Sequence, residues 1–457
     1  MMDHPNSVAS KSWMLRPCRH RVSFVNALGV SVTGCLLFLV LYGGASYLTS
    51  LRTDVGTWRY SWEQYIPLVP IMVVPYMSID VFFAISPFLC RDQKELRVLA
   101  FRLAAVIAGA AFCFVVFPLQ LAVERPVASG FFGGIYNAFT ALDRPYNLCP
   151  SMHIGLRTVL AAHFVRHCRR RSTKAVTHVW FFLIGCSTLL LWQHHVIDVV
   201  GGFVLALMVM YAIDGKPWIR QRGGDALANW QGAIWYGSAA MLSVLPVLVW
   251  PKIAWLTLWP ATACGCIALG YAWIGPAVYR RSKGRISMPA KILLTPVLLG
   301  QWLSWRHYAK QAEMMNYVCD GVWIGRQLTD VEARLAAGHG IAAVIDVCNA
   351  FDEPASLLAM NRLEVPVMDL TAPSDEQLQA CFEFIQRHRD RGVLVHCKAG
   401  YSRSAAIVAY WMVRTGRAEV AEDAFAALRQ IRPAVVIRPE IRRVLRPTCS
   451  PSFVATA

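Results

Sequence analysis

Close to the C-terminal end, the run His396-Cys397-Lys398-Ala399-Gly400-Tyr401-Ser402-Arg403-Ser404 follows a short apolar stretch and precedes a helical one. Residue types in that order suit nucleophilic attack on a phosphate ester. A strand ending just before Cys397 delivers the thiol to a loop whose backbone N–H groups converge on a dianion, and a helix N-terminus completes the positive cradle. The same field favours the thiolate, the form of cysteine that attacks. Gly400 permits the tight loop, and Arg403 presents a planar fork to two phosphate oxygens. Lys398 adds a cation, and Ser404 can hydrogen-bond the sulfur and ease its departure in a second step. We therefore assign Cys397, Arg403 and Ser404 to catalysis and Lys398, Gly400 and Ser402 to substrate binding. An acid must also protonate the leaving oxygen and later activate water. Asp369, in a polar loop 28 residues before Cys397, is favoured for that role. Asp375 competes with it, but stands where a helix N-cap or first-turn acid is expected.

A second constellation lies far upstream. It comprises Asp143-Arg144-Pro145-Tyr146-Asn147-Leu148-Cys149-Pro150-Ser151-Met152-His153, and Ser187-Thr188 followed by His194-His195-Val196-Ile197-Asp198. His194 and Asp198 are four residues apart, so a helix starting there puts both on one face. A carboxylate so placed orients an imidazole and stabilises its positive charge. Arg157, one turn beyond His153, faces the same way and is placed to bind phosphate oxygens. His195 reads as an ordinary polar residue at a membrane interface. His153, His194 and Asp198 read as functional, because ionisable groups at span depth rarely serve packing alone.

The elements that carry these residues differ in kind. Hydrophobic residues make up 56% of the 457-residue chain and mean hydropathy is +0.41, which calls for membrane spans. Apolar runs near 24–48, 66–89, 98–120, 150–166, 177–193, 195–213, 229–250 and 253–275 give eight. With the N-terminus and its Lys11, Arg16, Arg19 and Arg21 inside, the inner loops hold 20 Lys/Arg and the outer loops five, a strong positive-inside bias. His153 and His194 then start spans at the same outer face. The fourteen apolar residues 292–305 are too few to span, so we expect a helix lying in the inner interface. From 317 onward, short apolar runs at 342–347 and 393–395 suit buried parallel strands, with amphipathic helices at 375–388 and 403–414.

These runs divide the chain into a basic cytoplasmic N-terminus (1–23), an eight-span helical membrane domain (24–275), a basic loop with an interfacial helix (276–305) and an α/β domain (306–457). The net charge of +17 sits in the apolar part: residues 1–305 hold 27 Lys/Arg against 11 Asp/Glu, and 306–457 hold 18 against 17. Anionic lipid is thus the expected partner of the basic loops, and nucleic acid is excluded as one. The fourteen cysteines form no disulfide framework or paired metal-ligand spacing. The first apolar stretch is long enough to be kept as a span, not cleaved as a signal peptide.

The run around Cys397 resembles the dual-specificity branch of the protein tyrosine phosphatase superfamily over roughly 317–445. The resemblance implies a central sheet flanked by helices, a Cys-x5-Arg phosphate loop, a phosphocysteine intermediate, and neither metal nor other cofactor. Its Cys-Lys-Ala-Gly start is similar to members acting on phosphoinositides or phosphatidylglycerophosphate, although protein-directed relatives also carry that Lys. Residues from roughly 60 to 215 resemble the type-2 phosphatidic acid phosphatase superfamily, and most of all its inositol-phosphorylceramide and sphingomyelin synthase branch. That resemblance implies His194 as nucleophile, Asp198 as its orienter and His153 as general acid. Thr188 stands where many relatives carry a phosphate-binding Arg, and the Lys-x6-Arg-Pro motif is missing, so Arg144 and Arg157 are the substitutes. Together these readings imply a bifunctional enzyme in a bacterial inner membrane, with an endomembrane as the alternative. Its cytoplasmic centre hydrolyses phosphomonoesters of phospholipids or phosphoproteins, and its outer centre cleaves or transfers lipid phosphate. The alternative is a membrane-anchored protein phosphatase with a non-catalytic bundle.

Overall fold

The computed structural model describes residues 21–218, 226–250 and 255–448. Lys11, Arg16 and Arg19 of the basic N-terminus, and Arg220 and Arg222 of the 214–222 loop, lie outside the described residues. Contacts divide the chain after Gly215 into two units. Six described helices are long and apolar enough to cross a membrane, which fits a membrane protein.

The first unit holds α1 (Phe24–Ser50), α2 (Val73–Ile85), α3 (Gln93–Val116), α4 (Gly130–Leu142), α5 (Met152–His167), α6 (Arg171–Leu190) and α7 (Val196–Ala212). Side-chain caps set several starts: Ser23, Asp92 and Ser151 accept from the backbone N–H three residues on. α1 turns Leu36, Leu39 and Val40 outward, as a lipid-facing helix does. α5 packs among α3, α6 and α7. A Cβ on Gly202 of α7 would collide with the Ser151 carbonyl, so glycine is what lets α7 close on the turn before α5. The Ser151 N–H donates to the Asp198 carbonyl at 2.9 Å, tying the two segments that carry His153 and His194. The thirteen-residue α4 has no counterpart among the expected spans, being too short to cross.

The second unit begins with α8 (Ala226–Val249) and α9 (Leu258–Leu269), the latter extended by a π turn (Gly270–Ile274) and a 3-10 turn (Gly275–Tyr279). A hairpin of β1 (Arg281–Ser282) and β2 (Arg285–Ile286) leads to α10 (Met288–Ala309). Two expectations change here. The eight spans do not form one body: α9 packs on α8 and on α10, so the last two belong with the α/β unit. And α10 is a 22-residue helix, not fourteen, because Pro289 suits its first turn and Arg306 and His307 suit its C-terminal dipole. Ala290, Leu293, Leu294, Val297 and Gln301 form its buried face.

The remaining strands, β3 (Met315–Cys319), β4 (Val322–Arg326), β5 (Ala343–Asp346), β6 (Asn361–Glu364) and β7 (Val393–Cys397), form one sheet in the order β3-β4-β7-β5-β6. All its pairs are parallel except β3 with β4. Central β7 is buried throughout, which explains its unbroken apolar run. Val393 and Val395 face a core built with α13 (Asp375–His388), α14 (Arg403–Arg414), α15 (Ala421–Ile431) and α16 (Pro439–Thr448). Leu394 faces the other side, against α11 (Asp330–Gly338) and α12 (Ala355–Leu358).

Candidate functional sites

The thiol of Cys397 stands at the end of β7, 3% exposed, with its Sγ 3.4 Å from Ser404 Oγ. Gly400 adopts φ +71°, and a Cβ there would press on the Gly325 carbonyl, so the loop closes only with glycine. Buried Arg432 holds the loop from behind, donating from Nε to the Gly400 carbonyl at 3.0 Å. Arg403, the first residue of α14, donates to the Val367 carbonyl at 2.7 Å and to Asp369 Oδ1 at 3.0 Å. Lys398 Nζ donates to Asp369 Oδ2 at 2.5 Å and to Gln301 Oε1 at 2.9 Å. Ser402 occupies the N-cap position of α14 without a side-chain cap bond. The expected cysteine, its loop, both cations and Asp369 are thus brought together. Asp375 sits in the first turn of α13 behind its N-cap Ser374.

Electrostatics follow from this packing. Burial alone would raise the Cys397 thiol, but Arg403 and hydrogen bonds from Ser404 and Gly400 outweigh it and lower its pKa. Burial would likewise raise Asp369, yet Arg403 and Lys398 hold it at about 2. Asp369 is therefore a carboxylate in the resting centre.

Directly behind the nucleophile is a buried ion cluster. His396 Nε2 lies 3.1 Å from Glu353 Oε1 and 3.9 Å from Asp346 Oδ1. Arg281, from the hairpin, reaches Asp346 Oδ2 at 2.6 Å and the carbonyls of Cys348 and Phe351 at 3.0 and 2.9 Å. Burial pushes His396 down, but Glu353 and Asp346 stabilise its cation and carry it to about 9.

In the first unit, His153 and His194 line one cavity of about 220 Å³ with Tyr42, Tyr76, Asp80 and Asp143. The His153 ring stacks on Tyr76 at 4.2 Å. Buried Asp198 accepts from the His195 N–H at 2.8 Å and stands 3.6 Å from His194 Nδ1. His153 Nε2, His194 Nδ1 and Asp198 Oδ1 are all buried without a hydrogen-bond partner. His153 and His194 thus face one cavity, with the Asp198 carboxylate beside His194. His195 is structural: its Nδ1 meets Glu63 Oε2 at 2.9 Å and its Nε2 meets the Ala122 N–H at 3.2 Å. Neither expected arginine lines the cavity. Arg157 faces α6, where its Nε donates to the Phe181 carbonyl at 2.5 Å, and exposed Arg144 donates to Ser50 Oγ at 2.9 Å. Arg125 is paired with Asp143 at 3.0 Å.

A family model for the dual specificity phosphatase catalytic domain matches residues 322–447, and one for the PAP2 superfamily matches 99–220. The chain joins a PAP2 superfamily domain to a dual specificity phosphatase domain. The chain spans little more than half the length of the first curated relatives it matches. Over 133 residues it is 32% identical to the phosphatidylglycerophosphate phosphatase PTPMT2 of Arabidopsis thaliana, covering 26% of this chain and 58% of that protein. Over 131 residues it is 31% identical to phosphatidylglycerophosphatase and protein-tyrosine phosphatase 1 of Rattus norvegicus, covering 26% of this chain and 67% of that protein. A crystal structure of PTPMT1 aligns with a TM-score of 0.27 and 24% identity over 29% of this chain and 92% of that one.

Several residues around both sites escape sequence reasoning. Around Cys397, Arg432 follows the cysteine by 35 residues and Gln301, outside the matched phosphatase domain, precedes it by 96, with no motif linking them. In the PAP2 part, a second cavity of about 100 Å³ touches His194 and is lined by Arg59, the one Arg or Lys lining either cavity. Arg59 lies in a loop before the matched region, and nothing in its local sequence marks it.

Proposed function

We propose that the chain is a bifunctional phosphatase whose two centres use different nucleophiles. The observation that carries this reading is the cluster at Cys397, where a lowered thiol, two cations and a carboxylate converge. In the first step the Cys397 sulfur attacks phosphorus, an S–P bond forms, the P–O ester bond breaks and Asp369 protonates the departing oxygen. In the second, Asp369 takes a proton from water as its oxygen attacks phosphorus. The S–P bond then breaks, Ser404 stabilises the returning thiolate and inorganic phosphate leaves. The resting Asp369 is ionised because Arg403 and Lys398 hold it. A bound phosphate dianion takes over both cations, so the Asp369 pKa rises and the carboxylate takes up a proton from solvent as the substrate binds.

At the second centre His194 attacks phosphorus, Asp198 stabilises its cation and His153 protonates the leaving group; hydrolysis or transfer then completes the reaction. The cavity that His153 and His194 share and the Asp198 carboxylate 3.6 Å from His194 Nδ1 support this assignment, and Arg59 is the cation best placed to meet phosphate there. The loop charges support a cytoplasmic phosphatase domain and an outer His194 centre. Phospholipid phosphate is the substrate class for Cys397, supported by similarity to a phosphatidylglycerophosphate phosphatase. A phosphoprotein is the second reading, favoured by the rat relative's protein-tyrosine phosphatase name. The test is to trap the phosphoenzyme from radiolabelled phosphatidic acid or phosphatidylglycerophosphate in vesicles. Loss of an acid-stable adduct in Cys397→Ser and of an acid-labile one in His194→Ala is expected. No adduct on either residue with any phosphomonoester would overturn the reading.

A further inference from the structure

In the second unit, the apolar helices reach into the phosphatase centre. Gln301, 8% exposed on the inner face of α10, accepts from Lys398 Nζ at 2.9 Å and donates to Tyr236 Oη of α8 at 3.2 Å. The Tyr236 ring stacks on Tyr271 at 5.6 Å, and Tyr271 Oη donates to the Asp369 carbonyl at 2.8 Å. Tyr271 lies within the π turn that extends α9, a backbone irregularity that often marks functional positions. Gly232 of α8 makes room for it, since a Cβ there would strike the Tyr271 ring. The same α8 turns Trp235, Met241, Leu242 and Leu248 outward, a surface suited to lipid. The dual specificity phosphatase match starts at 322, so none of Tyr236, Tyr271 or Gln301 belongs to that domain.

We propose that Gln301 and Tyr271 are positioning residues of the phosphatase centre. They set Lys398 and the Asp369 loop from the apolar helices, so that the centre is complete only with those helices and takes phosphomonoesters displayed at a bilayer surface. This inference rests on the assignment of Cys397 and Asp369 above. Gln301 shares Lys398 with Asp369, so its removal leaves the ammonium wholly on the carboxylate and makes the acid harder to protonate. A carboxylate in its place draws the ammonium away. Of the other groups facing Asp369, Arg403 and the hydroxyls of Tyr271 and Tyr279 are untouched by either change, while Tyr236 loses the bond that Gln301 donates to it.

The experiment compares the full-length protein with Gln301→Ala, Gln301→Glu, Tyr271→Phe and Cys397→Ser in nanodiscs, all in a His194→Ala background that silences the other centre and serves as wild type. Each is assayed against p-nitrophenyl phosphate in solution and phosphatidylglycerophosphate in the bilayer, across pH. Wild type should prefer the lipid in kcat/KM by at least tenfold. Tyr271→Phe and Gln301→Ala should each lower kcat about tenfold on both substrates with melting temperature unchanged. The basic limb of kcat/KM, which reports the free enzyme, should move to lower pH in Gln301→Ala and to higher pH in Gln301→Glu, opposite shifts that a merely structural role does not produce. Wild-type kcat and pH profile in all three variants, with Cys397→Ser dead, would overturn the proposal and leave the phosphocysteine reading standing. Full activity in Cys397→Ser would instead remove that reading. A wild type that favours the soluble ester would refute the bilayer substrate.

Discussion

Replacing Arg281 by Met tests whether the buried cluster behind the nucleophile holds the domain together. Arg281 is 5% exposed and its partners Asp346 and Glu353 are 0%, so none of the three charges has water to fall back on. Without Arg281, two buried carboxylates face the single cation of His396. Removing one partner of such a set costs about 3–5 kcal/mol. At about 2–4 °C per kcal/mol for a unit of this size, the melting temperature should fall by roughly 6–20 °C. The pH dependence has a definite sign. His396 is raised to about 9, so its contribution is full below its unfolded value of 6.5 and is lost as pH rises through 9. In the variant, the uncompensated carboxylate is raised too, and protonation at low pH relieves it. The deficit against wild type should therefore be smaller at pH 5.5 than at pH 8.5. The assay is differential scanning calorimetry of the full-length protein at both pH values. A fall of under 2 °C, or a deficit independent of pH, would refute the reasoning.

Further expectations concern both centres. Asp369→Asn should lower kcat by ~10²–10⁴-fold on esters with poor leaving groups, and much less on p-nitrophenyl phosphate, because only the former need the proton. Cys397, with its thiol below the usual value, should be alkylated by iodoacetamide at pH 6 faster than the other cysteines, and Arg403→Ala should slow that reaction. In the first unit, Gly202→Ala should push the Ser151 turn from α7 and lower the His194-dependent activity without touching the Cys397-dependent one. Arg59→Ala should raise KM at the His194 centre more than it lowers kcat, read from initial rates on lipid phosphate.

The parts that follow from local pattern were legible in the sequence. The expected helices at 375–388 and 403–414 match α13 and α14, and the apolar run at 393–395 forms the first three residues of central β7. Cys397, Arg403 and Ser404 lie within eight residues, so one loop sets their geometry. His195 was also readable as structural, and Glu63 supplies the partner. What was hidden depends on contacts between distant segments. Arg281 counts in sequence as one more basic loop residue, yet it is buried on two carboxylates. Arg157 has the right helical spacing from His153, but the Phe181 carbonyl takes its side chain. Periodicity gives α8 and α9 as spans without saying that they pack on α10 and contribute Tyr236 and Tyr271 to the Asp369 loop. The Gly-rich, thirteen-residue α4 is too short for a hydropathy window to separate from a loop.

The most direct measurement is phosphate release by purified full-length protein in lipid, with wild type, Cys397→Ser and His194→Ala side by side. Phosphatidic acid, phosphatidylglycerophosphate and a phosphotyrosine peptide are the substrates. Two independent centres predict that each substitution abolishes a different activity and leaves the other intact. Loss of every activity in Cys397→Ser, with His194→Ala indistinguishable from wild type, would contradict the account and reduce the first unit to an anchor.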